Sequence, residues 1–465
     1  MSDSSPAPTA TQALADWALG LSLDDVPIPV IEAVSRHLLD GLGTALAAAR
    51  LEAAVPAVTV AAGLGGPAEA TVIGQAGKVG APAAALANGT LVHALDFDDT
   101  HAGGLVHATS AVLPTLLAVG EEVGASGEEC LLAAVAGYEA VCRIAGAAPH
   151  AFHARGLHAT SVAGVFASAL VAARLMGLDH KTTVDALGIA GSQAAGLLEF
   201  LATGSSTKQL HPGLAGQSGI IAARLAEAGA DGPASVLEGE RGLYAALADA
   251  RPGAAAVTQG LGERWESTQI TIKPYPSCQL MHAALDAVRA VLADLPGSVG
   301  PTDIASVAVD IHPDSADIVC LPRRDKIAPR TVYDAKFSLP WSVAALVIDG
   351  AVDLNTYVED DLGRQDLLDL AQRVEVRVVH FPGVAADAAG RAEITLADGR
   401  VLGGGVPRSA GGPNRPLDDQ AFRAKLVGTV GDAELAASLV AAIEELPKAA
   451  DLTAVTALLR KAPHE

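Results

Sequence analysis

The hydrophobic pattern of this chain changes period near residue 266, and this change constrains the fold more than any other feature. Up to that point apolar residues recur at helical spacing, and Gly, Asn or Pro separates the stretches. Asp179 precedes one stretch and is expected to cap its helix. This pattern predicts helices at residues 31–50, 128–145, 161–175, 182–201 and 213–229.

Short segments rich in Val and Ile follow residue 266. Two of them flank Asp398-Gly399, and Asp-Gly is a strong hairpin signal. This texture predicts strands at residues 269–272, 304–311, 374–381, 391–396 and 400–406. Helical patterns at 278–295 and 337–349 lie between the strands.

A Gly- and Pro-rich stretch at residues 403–416 is predicted to be the linker that leaves this middle segment. Residues 418–459 then return to helix, which indicates that the tail packs back on the first part. The fold prediction is mainly α, with a large all-helical domain from both chain ends and a smaller α+β lid domain from the middle. The boundaries are residues 1–266, 267–408 and 409–465.

Composition and charge restrict the core and the partners. Aromatic residues make up only 3% of the 465 residues, so we expect a core of Ala, Val and Leu with closely packed helices. The formal net charge of -22 disfavours nucleic acid and anionic membranes as partners, because both are polyanions. It also means that an anionic substrate needs a locally basic site.

The chain shows no sign of export. Its cysteines form no CxxC pair, and the polar first twelve residues lack the basic and apolar regions of a signal peptide. The most membrane-like run, residues 156–173, carries polar side chains and is interpreted as a buried helix. We expect a cytoplasmic protein with reduced thiols and no membrane partner.

The densest polar cluster covers residues 91–107 and combines three carboxylates with three histidines. Spacing alone allows three interpretations. The cluster is a solvated helix end with an acidic cap, a metal site of Asp and His ligands, or an acid/base site in which carboxylates orient histidines. The members are His93, Asp96, Asp98, Asp99, His101 and His107.

Three further polar segments precede helices or join domains. His158 and Lys208 each lie just before a predicted helix start, where free N–H groups favour an anion. The default interpretations are a histidine satisfied by local backbone and an exposed loop lysine. Two prolines stiffen residues 272–278, so Tyr275 and Ser277 are expected to have a fixed geometry at a domain boundary, where small molecules often bind.

Five motifs together resemble the MmgE/PrpD family, whose members include 2-methylcitrate dehydratase, cis-aconitate decarboxylase and iminodisuccinate epimerase. They occur in family order, as HALDFDDTH, GLHATSVAG, TKQLHPG, KPYPSC and DAKFSLP. The resemblance covers residues 10–450. It implies the two-domain fold, a homodimer, a small polycarboxylate substrate, and neither metal nor organic cofactor.

The resemblance also implies the site residues. The catalytic candidates are Asp96, His107, His158, Lys208 and Lys273. The substrate-binding candidates are Thr100, His101 and His211 from the family motifs, together with Tyr275 and Ser277. The decarboxylase branch uses a tyrosine from the middle domain, for which Tyr333 is a weak match.

These residue types suit proton transfer at a carbon next to a carboxylate. Lysines stabilise the negative charge that develops there, a histidine moves the proton, and Asp96 orients a histidine. Among the family reactions we expect dehydration of 2-methylcitrate first, with decarboxylation of cis-aconitate or iminodisuccinate epimerisation as alternatives. More distant alternatives are a magnesium-dependent prenyl-chain enzyme, a metal-dependent phosphohydrolase and a non-enzymatic helical scaffold.

Overall fold

The structure is a computed structural model that describes residues 7–297 and 299–460. The expectation of a cytoplasmic location rests partly on the polar first twelve residues. Half of these, residues 1–6, lie outside the described ranges. Within them, no single helix is both long and apolar enough to cross a membrane.

The first part of the chain is helical. Its helices are α1 (Ala10–Gly20), α2 (Ile28–Arg50), α3 (Val55–Leu64), α4 (Ala81–His93), α5 (Ala108–Val123), α6 (Gly127–Gly146), α7 (Ala151–Ala154), α8 (Ala159–Leu175), α9 (His180–Gly191), α10 (Phe200–Thr203), α11 (His211–Glu227) and α12 (Ala255–Thr258). Asp179 caps α9 as predicted, because its side chain accepts a 2.8 Å hydrogen bond from the Thr182 amide.

Small residues bring the central helices α4, α8 and α11 close together. A side chain on Gly89 of α4 would place its first carbon 2.6 Å from the Cα atom of Gly213 in α11, so both helices need glycine at this crossing. The helices therefore pack closely together, as the predominance of small side chains in the sequence predicts. The same contact brings the end of α4 next to the segment that precedes α11.

The middle part is α+β. Its strands are β5 (Ile304–Ile311), β6 (Val374–Val378), β7 (Gly390–Leu396) and β8 (Val401–Val406), in the sheet order β6-β5-β7-β8. The β5–β6 pair is parallel and the other pairs are antiparallel. Gly399 has φ +87° in the β7–β8 turn, as the Asp-Gly signal predicts. The helices are α13 (His282–Ala293), α14 (Pro313–Val319), α15 (Arg323–Ile327), α16 (Val332–Ala335), α17 (Leu339–Asp349) and α18 (Gln365–Gln372).

The tail returns to the first part. It forms α19 (Asp419–Val430), α20 (Ala433–Glu444) and α21 (Thr453–Leu459), whose buried Phe422 and Leu439 share one core with the N-terminal helices. Residues of the middle part form a second core, which Phe200 of α10 joins. The predicted mainly α fold with a smaller α+β part is confirmed, whereas the exact domain boundaries stay predictions.

Three local predictions differ from the structure. The helix expected at 182–201 ends at Gly191, and residues 196–198 instead pair with residues 156–158 ahead of α8, where the Gly196 carbonyl accepts a 2.8 Å bond from the His158 amide. The strand expected at 269–272 is only β4 (Ile270–Thr271), paired with β3 (Thr100–His101). A further short pair joins β1 (Ala70–Thr71) to β2 (Lys78–Val79). The exit linker begins later than predicted, because β8 continues to Val406.

Candidate active site

The acidic loop, residues 94–101, follows α4 and ends with the two residues of β3. Asp96 lies in this loop with φ +53°, a left-handed conformation that aspartate adopts more readily than most residues. Such a backbone costs about 1–3 kcal/mol and persists where surrounding contacts hold it. The carboxylate of Asp96 is fully buried.

Two lysines converge on one oxygen of Asp96. The Nζ atom of Lys208 lies 3.0 Å from Asp96 Oδ1, and that of Lys273 lies 2.8 Å from the same atom and 3.0 Å from the Asp96 carbonyl oxygen. Burial alone would raise the pKa of Asp96, but these two ammonium groups hold it well below its usual value. The other oxygen, Oδ2, is buried and has no partner within the described residues. The group is therefore a carboxylate flanked by two cations, with net positive charge.

His107 directly precedes α5 and is oriented by the acidic loop. Its Nδ1 atom lies 2.8 Å from the Asp99 carbonyl oxygen and 3.2 Å from Thr100 Oγ1. Because a carbonyl oxygen only accepts, Nδ1 carries the proton. The Nε2 atom of neutral His107 therefore keeps its lone pair.

His158 directly precedes α8 and faces a second histidine. Its Nδ1 atom lies 3.0 Å from His211 Nδ1, and its buried Nε2 atom has no partner among the described residues. Burial, followed by the charge of Lys208, lowers the pKa of both His158 and His107 well below 6.5. Both imidazoles are neutral in the free enzyme near neutral pH.

A second carboxylate, Asp98, lies next to the histidines of the site. Its Oδ2 atom lies 2.8 Å from His93 Nδ1, and its Oδ1 atom lies 4.0 Å from His107 Nδ1. The His93 ring centroid lies 4.7 Å from that of His107 and 5.6 Å from that of His158. The His107 and His158 centroids lie 5.8 Å apart, so the three rings form a triangle in which each ring is close to the other two.

The underside of the acidic loop contacts both chain ends. Thr109 donates its amide and hydroxyl to the Asp99 carboxyl group, whose pKa burial raises to about 7. Lys425 of α19 pairs with Asp40 of α2 at 2.6 Å and donates a 3.0 Å bond to the Phe97 carbonyl oxygen. The loop is thus held by α2, α5 and α19.

One cavity lies above these groups, between the helical part and the middle part. Its floor is polar and is formed by Asp96, Thr100, His107, His153, His158 and Lys208. Its wall is apolar and is formed by Leu105, Leu198, Phe200, Leu201, Leu280, Ile318 and Phe337. Cys278 and Gln279 complete the lining. The cavity therefore combines cations and imidazoles with hydrocarbon, and the two kinds of lining meet where Lys208 Nζ lies 5.1 Å from the centre of the Phe337 ring.

The structure brings most of the predicted site residues together. Five of them form the floor, Lys273 lies beneath it on Asp96, and His211 reaches it through His158. The five are Asp96, Thr100, His107, His158 and Lys208.

Three of the predicted substrate contacts do not reach this cavity. His101 turns to the opposite side of the loop and lies 3.1 Å from Glu266. Tyr275 donates to Asp286 at 2.7 Å, and Ser277 lies against His282 at 3.3 Å. Their polar atoms are thus engaged with the protein. Tyr333 is buried against Phe337 and lines no part of the cavity.

Sequence reasoning named His93 and Asp98 in the dense cluster but gave them no role, and it missed His153 and the wall. The closeness of both residues to Asp96 in the same polar cluster was the available signal for a role in the site. The wall residues come from five separate segments and carry no polar signal.

Two groups bring possible metal ligands together. Ring nitrogens or carboxylate oxygens lie within 4.8 Å of one another in the set His93, His107 and His158, and in the set Asp96, Asp98 and His107. Nitrogen-rich sets suit zinc or copper. The ammonium groups of Lys208 and Lys273, which are already bound to Asp96, repel a metal cation at this place. The arrangement is better suited to binding an anion and moving a proton.

Comparison with protein families identifies the chain. The MmgE/PrpD N-terminal domain matches residues 12–256, and the MmgE/PrpD C-terminal domain matches residues 275–442. The chain belongs to the MmgE/PrpD family. The predicted resemblance is confirmed, and with it the expectation of an enzyme of the decarboxylase or lyase type.

Curated relatives of this MmgE/PrpD enzyme extend over most of its length. A protein named cis-aconitate decarboxylase from Aspergillus terreus is 28% identical over 480 residues, which cover 98% of this chain and 96% of the relative. Proteins of the same name from Homo sapiens and Mus musculus are 28% and 25% identical. They cover 79% and 97% of this chain, and 76% and 93% of the relatives, respectively.

Proposed function

We propose that this enzyme decarboxylates a small unsaturated polycarboxylate of the cis-aconitate class, without metal or organic cofactor. The name shared by its curated relatives supports decarboxylation over the dehydration that the sequence alone ranked first. The observation that carries the proposal is the division of the cavity into a cationic floor and an apolar wall.

This division suits decarboxylation because the carboxylates of such a substrate have different fates. The departing carboxylate becomes neutral carbon dioxide. A hydrocarbon surface therefore destabilises the charged carboxylate but not the carbon dioxide that forms from it. The retained carboxylates stay anionic and need lasting cationic partners. In this orientation the departing group faces Phe200 and Ile318, and the retained groups face Lys208.

The reaction then needs one proton and no electrons from outside. The bond to the departing carboxylate breaks, and its electron pair forms a double bond to the neighbouring carbon. The original double bond takes up a proton at its far carbon. Lys208, which lines the cavity, stabilises the charge that develops beside the retained carboxylate, an effect worth about 3–4 kcal/mol for one donor. Lys273 contributes its positive charge from beneath Asp96.

His107 or His158 supplies the proton. Both are neutral in the free site because of burial and of Lys208, but a bound anion raises the pKa of a neighbouring imidazole. Substrate binding therefore favours the protonated imidazole, which is the acid that the reaction consumes. Such a positioned acid contributes about 100- to 10,000-fold.

Dehydration of 2-methylcitrate is a weaker proposal. It needs a donor that protonates a leaving hydroxyl group, and the described wall residues are all hydrocarbon. A hydroxyl bound on the floor would find imidazoles, so the substrate orientation decides between the reactions.

A direct test incubates the purified enzyme with cis-aconitate, 2-methylcitrate or iminodisuccinate in heavy water. For cis-aconitate we expect carbon dioxide and methylenesuccinate that carries one new deuterium on carbon, seen by NMR and mass spectrometry. His107→Asn or His158→Asn should suppress both turnover and deuterium entry. His380→Asn, at an exposed position of the middle part, is the matched control. Turnover of 2-methylcitrate but not of cis-aconitate would overturn the proposal.

We also propose, on the family resemblance, that the enzyme is a cytoplasmic homodimer. Light scattering after size-exclusion chromatography measures the mass directly. A mass of one chain at micromolar concentration would contradict the dimer.

A further inference from the structure

Lys336 is a buried lysine outside the cavity lining, located directly after α16 in the middle part. Its Nζ atom donates to the Leu95 carbonyl oxygen at 2.8 Å and to the Pro276 carbonyl oxygen at 3.1 Å. The same atom lies 4.8 Å from the centre of the Tyr357 ring. Its contacts are therefore two backbone carbonyls and one aromatic face.

The two carbonyls belong to the segments that carry Asp96 and Lys273. The Leu95 carbonyl is part of the peptide unit that leads into Asp96, the residue with φ +53°. Pro276 lies three residues after Lys273, in the stiff Pro-containing segment. The backbone of Lys336 adds a third link, because its carbonyl oxygen accepts a 2.9 Å bond from the Cys278 amide.

One ammonium group thus joins three pieces of chain. The acidic loop comes from the helical part, residues 273–278 lead into the middle part, and α16 lies within it. The Asp96–Lys273 contact of 2.8 Å joins the same two segments whose carbonyls Lys336 bonds.

We propose that Lys336 is a positioning residue, which holds the Leu95–Asp96 peptide in its left-handed geometry and couples the placement of the middle part to the Asp96–Lys273 pair. It touches neither substrate nor the described floor. Only the activity measurement below depends on the proposed decarboxylation.

The physical basis is the cost of a buried carbonyl without a donor. Removing the ammonium group leaves two such carbonyls in a site that admits little water, so the loop relaxes toward other donors or toward solvent. Relaxation at Leu95 rotates the peptide that sets the Asp96 backbone, and the carboxylate moves away from the lysines. Burial, with the charges of Lys273 and Lys208, also lowers the pKa of Lys336 to about 7. The neutral amine retains N–H donors for both carbonyls.

Lys336→Met is the informative variant, because it keeps the length and loses all donors. Lys326→Met is its matched control. Lys326 is equally buried, and its Nζ atom donates to a backbone carbonyl, that of Phe337, at 2.8 Å, but this bond stays within the middle part. Both variants lose a buried lysine and a backbone bond, and only one loses the link to the acidic loop.

Two measurements on the full chain test the proposal. With cis-aconitate, Lys336→Met should lower kcat about 100-fold, the effect of a misplacement of roughly 1 Å, with little change in KM. Hydrogen exchange of residues 94–100 should become faster in Lys336→Met and stay as in the wild type in Lys326→Met. If Lys336→Met does not fold, Lys336→Gln, whose shorter amide reaches only one carbonyl, is judged by the same criteria.

Equal exchange of residues 94–100 in the Lys336 and Lys326 variants would overturn the positioning role. So would an equal fall in kcat in both. A wild-type enzyme that leaves cis-aconitate unchanged would count against the proposed decarboxylation alone, because the exchange measurement still decides the role of Lys336.

Discussion

The Nδ1 atoms of His158 and His211 lie 3.0 Å apart and form a hydrogen bond between two imidazoles. One ring must donate and the other accept, so the tautomer of His211 determines whether the free Nε2 atom of His158 carries a proton or a lone pair. Burial, with its neighbours His93 and Lys208, lowers the pKa of His211 to about 4, so this partner is neutral.

His211→Phe should therefore act through His158. We expect kcat to fall about 10- to 1,000-fold, since loss of a tautomer-fixing partner impairs a catalytic histidine strongly. KM for cis-aconitate should change little. His211→Asn, which can still donate or accept, should lose less, and steady-state kinetics compare the two. A large rise in KM with an unchanged kcat would instead support the direct substrate contact that the sequence predicted for His211.

Replacement of either lysine on Asp96 should impair catalysis. Lys208→Ala and Lys273→Ala should each cost about 2–4 kcal/mol in the transition state, or roughly 30- to 1,000-fold in kcat/KM. Lys181→Ala is the control, because Lys181 is exposed and pairs only with Asp185 of its own helix. Near-normal kcat/KM in either variant would refute its assignment.

The same pair gives a stability prediction. Lys273 and Asp96 are both fully buried, so Lys273→Met leaves a buried carboxylate with one cation fewer and should lower Tm. The double variant Lys273→Met/Asp96→Asn should recover part of this Tm and none of the turnover. Calorimetry and a decarboxylation assay on the same samples separate the two effects.

Asp99 predicts a pH dependence of stability. Its folded pKa is raised from 3.8 to about 7 by burial, so it stabilises the fold below about pH 4 relative to higher pH, and this contribution is lost as pH rises to about 7. Asp99→Asn removes the titration. The free energy of unfolding of the variant, relative to the wild type, should therefore increase by about 1–3 kcal/mol between pH 5 and pH 7. Urea unfolding at both pH values measures the difference, and a constant difference would contradict it.

Metal removal should leave the enzyme active. Asp96 already binds two ammonium groups, which oppose a divalent cation among the floor residues. Dialysis against excess chelator should leave kcat unchanged, and elemental analysis should find less than one transition metal per chain. One bound metal per chain that is lost together with activity would restore the metal interpretation of the dense cluster.

The sequence was sufficient for the fold class and for most of the floor. Helical periodicity, the Asp-Gly hairpin and the Asp179 cap are local signals, and local contacts in the structure satisfy them. Asp96, His107 and His158 stand out in the sequence because each lies in a polar motif beside an apolar stretch. The resemblance to the family motifs pointed to Lys208 and Lys273. They contact Asp96 but lie 112 and 177 residues after it in the sequence.

The remainder depends on tertiary packing. The apolar periodicity continues past Gly191, where α9 ends, and the pairing of residues 196–198 with residues 156–158 replaces the expected last turns of helix. Leu198, Phe200, Ile318 and Phe337 look like ordinary core residues in sequence. They form one wall only because the middle part closes on the helical part.

The bond from Lys425 to the Phe97 carbonyl oxygen has a consequence for biosynthesis. The ribosome makes Phe97 of the acidic loop 328 residues before Lys425 of α19, the helix that holds the loop from below and bridges it to Asp40. A nascent chain that already contains every floor residue still lacks this support. The site therefore stays incomplete after its floor residues have been made, and a chain released before residue 425 is expected to be inactive.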